Sequence, residues 1–322
     1  MKIIRAQEQK RPEFRSVYVE TLMELMESNP AVVNLDADLV GASGAAKLFK
    51  KYENRCINMG ISEANMIGAA AGMSLTGKIP FIHTFAPFAT RRVMDQLYMS
   101  GVYSNANIKV YGSDPGFWAI HNGGTHTTLE DLALTRALAN ITVLAPSDAT
   151  QFKWCVKKAA DTYGVFYIRA GRKAFIDLYD SSSEFELGKG IKLEDGKDVV
   201  IFAIGEMVAE AYKAREILVN EGIDVAVVDM FSIKPLDEEI IKLMCDGKRL
   251  VISAENHSKY GGLGSAVAEV MAENAINVPL RRIAVQDCFS EVGTADYLQR
   301  ILEIDAEAIV ELVRSNLIKQ SV

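Results

Sequence analysis

The sequence predicts an α/β protein with two doubly wound domains, each a mainly parallel sheet covered by helices. Short β-branched runs alternate with helical patterns along the whole chain, as parallel sheets require. A polar stretch rich in Ser and Gly, residues 177–198, interrupts the alternation once. The 322 residues are long for one domain and sufficient for two. We therefore predict domains over residues 1–185 and 190–322, with residues 177–198 as the linker.

Each element follows from its own pattern. In the first domain, β-branched runs that lead into loops predict strands at residues 31–39, 108–114, 141–148 and 165–171. Apolar residues at helical spacing predict helices at residues 13–28, 63–75, 129–138 and 147–163. The second domain repeats the alternation, with strands predicted at 198–205, 223–230 and 249–256 and helices at 208–222, 236–247 and 263–275. Because open α/β sheets bind ligands beyond the carboxyl ends of their strands, we expect the site in the loops that follow the strands of the first domain.

The composition is that of a globular protein that neither binds nucleic acid nor spans a membrane. Hydrophobic residues make up 49% and charged residues 24%, and the net charge of −7 argues against general nucleic-acid affinity. No apolar run approaches the roughly 20 residues that cross a bilayer. The N-terminal stretch becomes polar too early for a signal peptide. Four widely spaced cysteines show neither CxxC nor zinc spacing, so we expect buried thiols and a cytoplasmic location.

Several familiar site motifs are missing from the sequence. The chain has no P-loop and no GxSxG motif, and its four histidines form no HExxH pair. The stretch GGLGSA, residues 261–266, lacks the third glycine of a dinucleotide fingerprint and predicts a tight turn that opens a helix. The sequence therefore predicts no self-contained phosphate or metal site.

A carboxylate opens the helix predicted at residues 63–75. Ser62 suits an N-cap, and Glu63 in the first turn complements the helix dipole, which alone would explain the residue. The small residues from Gly68 to Gly72 give the helix an almost bare surface. A carboxylate pressed against such a surface would be partly desolvated and could share a proton with a ring nitrogen.

Three further groups of residues suit a binding site. Phe85 and Phe88 are three apart and would share a face of a helical turn, either in the core or as a wall for an aromatic heterocycle. The loop over residues 111–131 is crowded with Gly, His and Asp, which favours polar chemistry. Arg169 and Arg172 follow a strand, either as surface residues or as a clamp for phosphate or sulfonate oxygens.

In this order, the pieces resemble the C-terminal half of a transketolase, and more closely the corresponding subunit of a split transketolase. The resemblance covers essentially the whole chain. It rests on the stretches NMGISEANMIGAAAGMSLTGKIPF, GGTHTTLEDLALTRALANITVLAPSDA, VVDMFSIKPLD and ENHSKYGGLGSAVAE. It implies a pyrimidine-binding (Pyr) domain over residues 1–185 and a smaller transketolase C-terminal-like domain over residues 190–322.

The resemblance also implies a cofactor that this chain encloses only in part. Transketolases bind thiamine diphosphate between a Pyr domain and a PP domain, where a GDG motif and an Asn hold the diphosphate and Mg²⁺ or another divalent cation. This chain has no GDG motif. A partner subunit would then supply the PP domain and the metal, this chain would contribute no metal ligand, and the family suggests a heterotetramer of two plus two chains.

The family assigns roles to five positions. By resemblance, Glu63 hydrogen-bonds the N1′ atom of the aminopyrimidine and promotes the proton transfer that activates the thiazolium carbon. Phe85 and Phe88 match the aromatic wall around the ring, and His126 in GGTH matches a histidine beside the reacting carbon. Arg169 matches an arginine that binds the substrate phosphate. The implied activity is transfer of a two-carbon ketol unit from a ketose phosphate to an aldose acceptor.

Positions that would face the sugar depart from the family pattern. Transketolases carry a histidine where this chain has Asp114. In the wall around the cofactor ring, they carry a third aromatic residue where this chain has Arg91. An unusual ketose is therefore consistent with the sequence. The positions expected to contact substrate, besides Arg169, are Arg15 and Ser43 near two phosphate contacts, and His121 and Asn122 in place of an acidic pair.

Two alternatives stay open. A deoxyxylulose-phosphate synthase half or a 2-oxo acid dehydrogenase beta subunit would use the same cofactor, although the GGTH context favours sugar chemistry. A scaffold subunit would keep the fold without binding the cofactor. The presence of Glu63, Phe85 and Phe88 together argues against a scaffold.

Overall fold

The computed structural model describes residues 12–171 and 177–318, and these residues form two sheets with covering helices. The strands of the first sheet are β1 (Val32–Asp36), β2 (Cys56–Asn58), β3 (Ile79–Phe85), β4 (Lys109–Ser113), β5 (Ile141–Leu144), β6 (Val165–Ala170) and β10 (Ser232–Lys234). Their order is β10-β5-β6-β4-β3-β1-β2. All neighbours in this sheet are parallel except β10, which pairs antiparallel with β5. The residues of β1, β4 and β6 are all buried, as in a parallel sheet covered on both faces.

The second sheet has five strands in the described residues, in the order β12-β11-β8-β9-β7. Its strands are β7 (Ile191–Glu194), β8 (Val199–Ala203), β9 (Val225–Asp229), β11 (Leu250–Ser258) and β12 (Leu280–Val285). Only β7 runs antiparallel to its neighbour, β9. This sheet is likewise a buried, mainly parallel core, so the predicted α/β class is confirmed.

Helices connect and cover these strands. Those associated with the first sheet are α1 (Phe14–Ser28), α2 (Val40–Ser43), α3 (Ala46–Lys51), α4 (Glu63–Leu75), α5 (Ala86–Ala89), α6 (Met94–Gln96), α7 (Asp131–Ala137) and α8 (Ala149–Asp161). A π-helical segment, Leu97–Tyr103, continues α6. The later helices are α9 (Met207–Asn220), α10 (Glu238–Cys245), α11 (Leu263–Glu273), α12 (Ala295–Ile301) and α13 (Ala306–Ile318). None of the helices in the described ranges is both long and apolar enough to cross a membrane.

The structure differs from the sequence prediction at several places. The stretch from Ile79 to Phe85, which the sequence analysis assigned to no element, forms the buried strand β3. Short strand β2 was not predicted. The predicted linker contains β7, which pairs with β9 at the edge of the second sheet. All four cysteines lie in the described ranges as free thiols, and only Cys288 is exposed, contrary to the expectation that all would be buried.

One buried carboxylate joins the two halves of the chain, and a second holds two segments of the first half together. Asp229, at the end of β9, accepts hydrogen bonds from Ser147, from the Gln151 side chain at 3.0 Å and from the Tyr179 hydroxyl at 2.6 Å. Asp148 caps α8 through the Gln151 amide at 2.7 Å and also accepts the Tyr179 amide at 2.8 Å. Burial raises the pKa of Asp148 and of Asp229, each to about 6.

These shifts predict that the two buried carboxyls contribute less to stability as pH rises from about 4 to about 6. A carboxyl whose folded pKa exceeds its unfolded value of about 3.9 binds extra protons in the folded state between those values, so its contribution is fully present below pH 4. For Asp229 alone the loss is about 3 kcal/mol. Urea unfolding between pH 4 and pH 7 should show a shallower pH dependence for Asp229→Asn. Asp195→Asn, at an exposed carboxylate, is the control, and equal slopes for wild type and Asp229→Asn would refute the assignment.

Candidate functional site

The carboxyl edge of the first sheet brings the predicted site elements together. Strands β1, β3 and β4 lie side by side, with Asp36 opposite His83 and Phe85 opposite Ser113. Helix α4 starts five residues after the end of β2, which pairs with β1. The glycine-rich loop follows the end of β4. The predicted site residues thus lie at the edge where open α/β sheets bind their ligands.

Glu63 is the first residue of α4 and is buried, with 4% of its surface exposed. Its Oε1 atom accepts a hydrogen bond from Nη1 of Arg92 at 2.8 Å. Ser62 occupies the N-cap position, but its hydroxyl donates to the Met59 carbonyl instead of accepting from the helix. The position of Glu63 in the first turn favours the negative charge.

The bare surface predicted on α4 is not what surrounds Glu63. Gly68 and Gly72 are exposed, and a Cβ atom added at either would meet nothing within 4 Å. Next to Glu63, the buried face of the helix carries the larger side chains of Met66 and Ile67, and its small buried residues follow only from Ala70 onward. The neighbour of the Glu63 carboxylate is therefore a guanidinium, not a flat helix surface.

Three aromatic rings form a compact cluster next to this ion pair. The ring centroids of Phe85 and Phe88 are 6.1 Å apart, and His126 lies 5.7 Å from Phe85 and 5.1 Å from Phe88. The interplanar angles, between 69° and 72°, are edge-to-face contacts. Phe85 ends β3 and precedes α5, so the two phenylalanines do not share one helical turn as predicted, although their rings do meet.

The glycine-rich loop holds His126 against these rings. The His126 amide donates to the Gly123 carbonyl at 3.0 Å, and Gly123 has the positive φ of 68° that favours glycine. The Thr125 hydroxyl lies 2.9 Å from Nδ1 of the imidazole. Arg91 anchors the loop by two hydrogen bonds, to the Thr125 carbonyl at 3.3 Å and to the Glu130 carboxylate at 2.8 Å.

Arg92 links the carboxylate to the ring cluster, and sequence reasoning missed it. Its Cζ atom lies 3.6 Å from the centroid of the Phe88 ring while its Nη1 atom bonds Glu63. A cation over an aromatic face at this distance is attracted by the ring quadrupole. The spacing of four residues between Phe88 and Arg92 was the available signal, since such pairs meet on a helical surface.

Arg169, predicted to bind a phosphate, is buried between the two halves of the chain. It exposes 2% of its surface, and its Nε atom donates to Asp131 at 2.7 Å. It also donates to the Asn256 carbonyl from the second half. The Tyr167 hydroxyl shares the Asp131 carboxylate at 2.7 Å. In this arrangement the guanidinium is the cation of a buried ion pair and offers almost no surface to a substrate.

The remaining predicted substrate contacts lie at different depths. Arg15 is partly exposed and reaches the Ala42 carbonyl at 3.5 Å, next to Ser43 in sequence. Ser43 itself is buried, and its hydroxyl donates to the Val40 carbonyl at 3.2 Å. His121 and Asn122 are exposed in the glycine-rich loop, whereas Asp114 is buried at its start. Arg172 lies outside the described residues.

The glycine-rich turn before α11 is filled by the chain itself. Glu255 accepts the amides of Leu263 at 2.6 Å and Gly264 at 2.8 Å, so a carboxylate already occupies the positive end of this helix. A Cβ atom at Gly262 would lie 1.9 Å from that carboxylate. The turn therefore stabilises the start of α11 and leaves no room for a ligand. Within the described ranges, no cluster of three or more side chains could hold a metal ion.

Comparison with known proteins identifies the family of both domains. Residues 10–176 match the family model "Transketolase, pyrimidine binding domain", and residues 188–309 match "Transketolase, C-terminal domain". The chain is 43% identical to a 6-deoxy-6-sulfo-D-fructose transketolase subunit of Clostridium sp. (strain MSTE9), over 92% of each chain. It is 35% identical to an apulose-4-phosphate transketolase subunit of Phocaeicola vulgatus, over 85% of this chain and 87% of the relative.

A solved structure extends the similarity to three dimensions. It is described as a split gene transketolase, an inactive beta4 tetramer, and it superposes with a TM-score of 0.87 at 39% identity. The match covers 96% of this chain and 99% of that one. Both family models, the relatives and the fold thus agree over nearly the whole sequence. The chain belongs to the transketolase family, as a subunit of the split type that carries the pyrimidine-binding and C-terminal domains.

Proposed function

We propose that this chain forms one half of a thiamine-diphosphate-dependent transketolase, which moves a two-carbon ketol unit from a ketose phosphate to an aldose acceptor. The observation that carries the proposal is the position of Glu63. Its buried carboxylate faces a planar cation stacked on Phe88, beside the rings of Phe85 and His126. A carboxylate and an aromatic wall at one place are the two groups that hold an aminopyrimidine.

The donor set in the structure fits the pyrimidine ring of the cofactor. A flat nitrogen-containing group already lies between Glu63 and Phe88, in the form of the Arg92 guanidinium, so this place accommodates a planar N–H donor. The diphosphate and the divalent cation would be held by the partner subunit, since the described residues offer no cluster for a metal. Thiamine diphosphate, when bound, supplies the nucleophilic carbon and the electron sink of the reaction.

The residues of this chain have separate tasks in the proposal. Glu63 holds a proton at the N1′ atom and so controls the charge of the ring. Phe85 and Phe88 orient the ring and exclude water from it. His126, fixed through Nδ1 by Thr125, presents Nε2 to the sugar, where it can donate or accept a proton.

The substrate is proposed to be an anionic ketose that differs from common sugar phosphates. One relative is named for a ketose with a sulfonate at C6, and the sugar-facing positions of this chain depart from the family pattern. His121, Asn122 and the partly exposed Arg15 are the proposed contacts, with Ser43 shaping the loop beneath Arg15. A phosphate contact by Arg169 stays a prediction, and it would require the buried ion pair with Asp131 to open.

The partner is proposed to be a subunit that carries the GDG motif, in an assembly of two plus two chains. One relative in the family is a subunit of a split enzyme, which supports this division of labour. Free thiols at all four cysteines, each of which lies in the described ranges, support a location in the reducing cytoplasm. A role in carbohydrate metabolism follows from the proposed reaction.

Reconstitution with the GDG-bearing partner tests the proposal. We expect ketol transfer from a ketose phosphate or a 6-sulfo-ketose to an aldose acceptor, dependent on both chains, thiamine diphosphate and Mg²⁺. Pyruvate with an aldose phosphate, and pyruvate with an artificial electron acceptor, assay the two alternative reactions. Isothermal titration with thiamine diphosphate separates enzyme from scaffold. If the complex turns over pyruvate but no ketose donor, one of the two alternative reactions replaces the proposed one. If the complex binds no thiamine diphosphate, the chain is a scaffold subunit.

A further inference from the structure

Arg92 makes two contacts that the proposed function gives to the cofactor ring. Its Nη1 atom donates to Oε1 of Glu63 at 2.8 Å, and its Cζ atom lies 3.6 Å from the centroid of Phe88. An aminopyrimidine held by this chain would use the same carboxylate and an aromatic face of the same cluster. The contacts of Arg92 therefore lie inside the ring site, not at its margin.

The Arg92 guanidinium resembles the aminopyrimidine ring in shape and in hydrogen-bonding groups. It is planar and nitrogen-rich, carries N–H donors in a rigid fork, and stacks on aromatic faces. Carbon atoms in contact stay about 3.5–4.0 Å apart, so a second planar group cannot lie on the ring face that Arg92 covers. Guanidinium and pyrimidine must exclude each other at this face of Phe88.

The two partners of the ion pair differ in their freedom to move. The Glu63 side chain exposes 4% of its surface, whereas the Arg92 side chain exposes 43%. A buried carboxylate that loses its partner is costly, while a half-exposed arginine regains water when it leaves. Glu63 is thus the fixed element of the site, and Arg92 is the group that can withdraw.

We infer that Arg92 is an internal plug of the pyrimidine site, which neutralises Glu63 before the cofactor binds and withdraws when the ring takes its place. This inference rests on the proposed function and adds a gating residue to it. The apparent affinity for the cofactor is then reduced by the fraction of molecules in which the plug is withdrawn. Assembly of the active enzyme becomes sensitive to the concentration of thiamine diphosphate.

Calorimetric titration of the reconstituted complex with thiamine diphosphate and Mg²⁺ tests the plug. Arg92→Met removes the charge and the planar fork, and we expect its Kd to fall by about tenfold or more. Arg92→Lys keeps the charge without the fork, so its Kd should lie between those of wild type and Arg92→Met. Arg55→Met is the matched control, because Arg55 also stacks on a ring, 4.7 Å from the Tyr52 centroid, away from the site.

The outcomes separate this inference from the function on which it rests. An unchanged or higher Kd for Arg92→Met, with normal binding by wild type, overturns the plug and leaves the proposed function standing. Absence of binding by wild type and by Arg55→Met overturns the proposed function, and the plug with it. Circular dichroism checks that each variant is folded. If Arg92→Met does not fold, the Kd of Arg92→Lys relative to wild type tests the inference. In a crystal structure with cofactor, the Arg92 guanidinium should have left Phe88.

Discussion

Replacement of Glu63 by glutamine is expected to lower kcat of the reconstituted enzyme about a thousandfold, equivalent to about 4 kcal/mol of transition-state stabilisation. Glutamine keeps the size of the side chain and can still hydrogen-bond a ring nitrogen. It cannot carry the negative charge that holds a proton there. Because the fault lies in proton transfer, kcat should fall far more than the affinity for the sugar. Single-turnover measurement with the ketose donor separates this step from product release.

The matched control is Glu27→Gln, which removes the same charge from an exposed carboxylate paired with Lys51. Its activity should equal that of wild type. Near-full ketol transfer by Glu63→Gln would show that the carboxylate is only a helix-dipole partner. A loss confined to cofactor binding, with normal turnover at saturation, would assign Glu63 to binding and remove it from the chemistry.

Removal of Asp131 is expected to have the largest effect on stability. Asp131→Ala leaves Arg169 as a buried cation without its carboxylate, which costs about 3–5 kcal/mol. The Tyr167 hydroxyl loses the same acceptor. Because Arg169 also bonds the carbonyl of Asn256, the damage falls on the contact between the two halves of the chain. The free energy of unfolding from urea titration measures the effect.

A double variant distinguishes two causes of the instability of Asp131→Ala. One is the loss of a favourable ion pair, and the other is the cost of leaving the Arg169 charge buried without a partner. Asp131→Ala with Arg169→Met removes both charges and should be more stable than Asp131→Ala alone. Lys153→Met, at the exposed partner of Glu24, is the control and should change little. If the double variant is the least stable of the set, the pair contributes net stability and the desolvation argument fails.

The elements with strong local patterns could be predicted from the sequence. Helix α4 begins and ends at the predicted residues, and Ala, Met, Leu and Glu, which favour helices, make up most of the run between Ser62 and Thr76 and outweigh its two glycines. The strand at Val32–Asp36 was found from its apolar run. Strand β7 was not, because it lies in polar sequence and is stabilised by its pairing with β9.

Some residues of the candidate site could be proposed from the sequence, and others could not. Glu63 and His126 could be proposed as site residues because each stands in a stretch that resembles the family. The structure places His126 against the Phe88 ring and Glu63 against the guanidinium that stacks on that ring. Sequence reasoning missed Arg92, because its spacing from Phe88 indicates a contact with that ring but does not show that Glu63, 29 residues away, lies on the other side. The burial of Arg169 was equally hidden, because its carboxylate partner is 38 residues away in the sequence and the carbonyl that it bonds is 87 away.

Strand β10 has a consequence for how this subunit can be cut or recombined. It belongs to the second half of the chain yet pairs with β5 of the first sheet, where Ser232 lies opposite Leu144. A fragment that stops after the pyrimidine-binding region would leave β5 as an open edge, of the kind on which proteins aggregate. Chimaeras that exchange C-terminal regions between relatives must therefore match this strand as well as the surfaces around it.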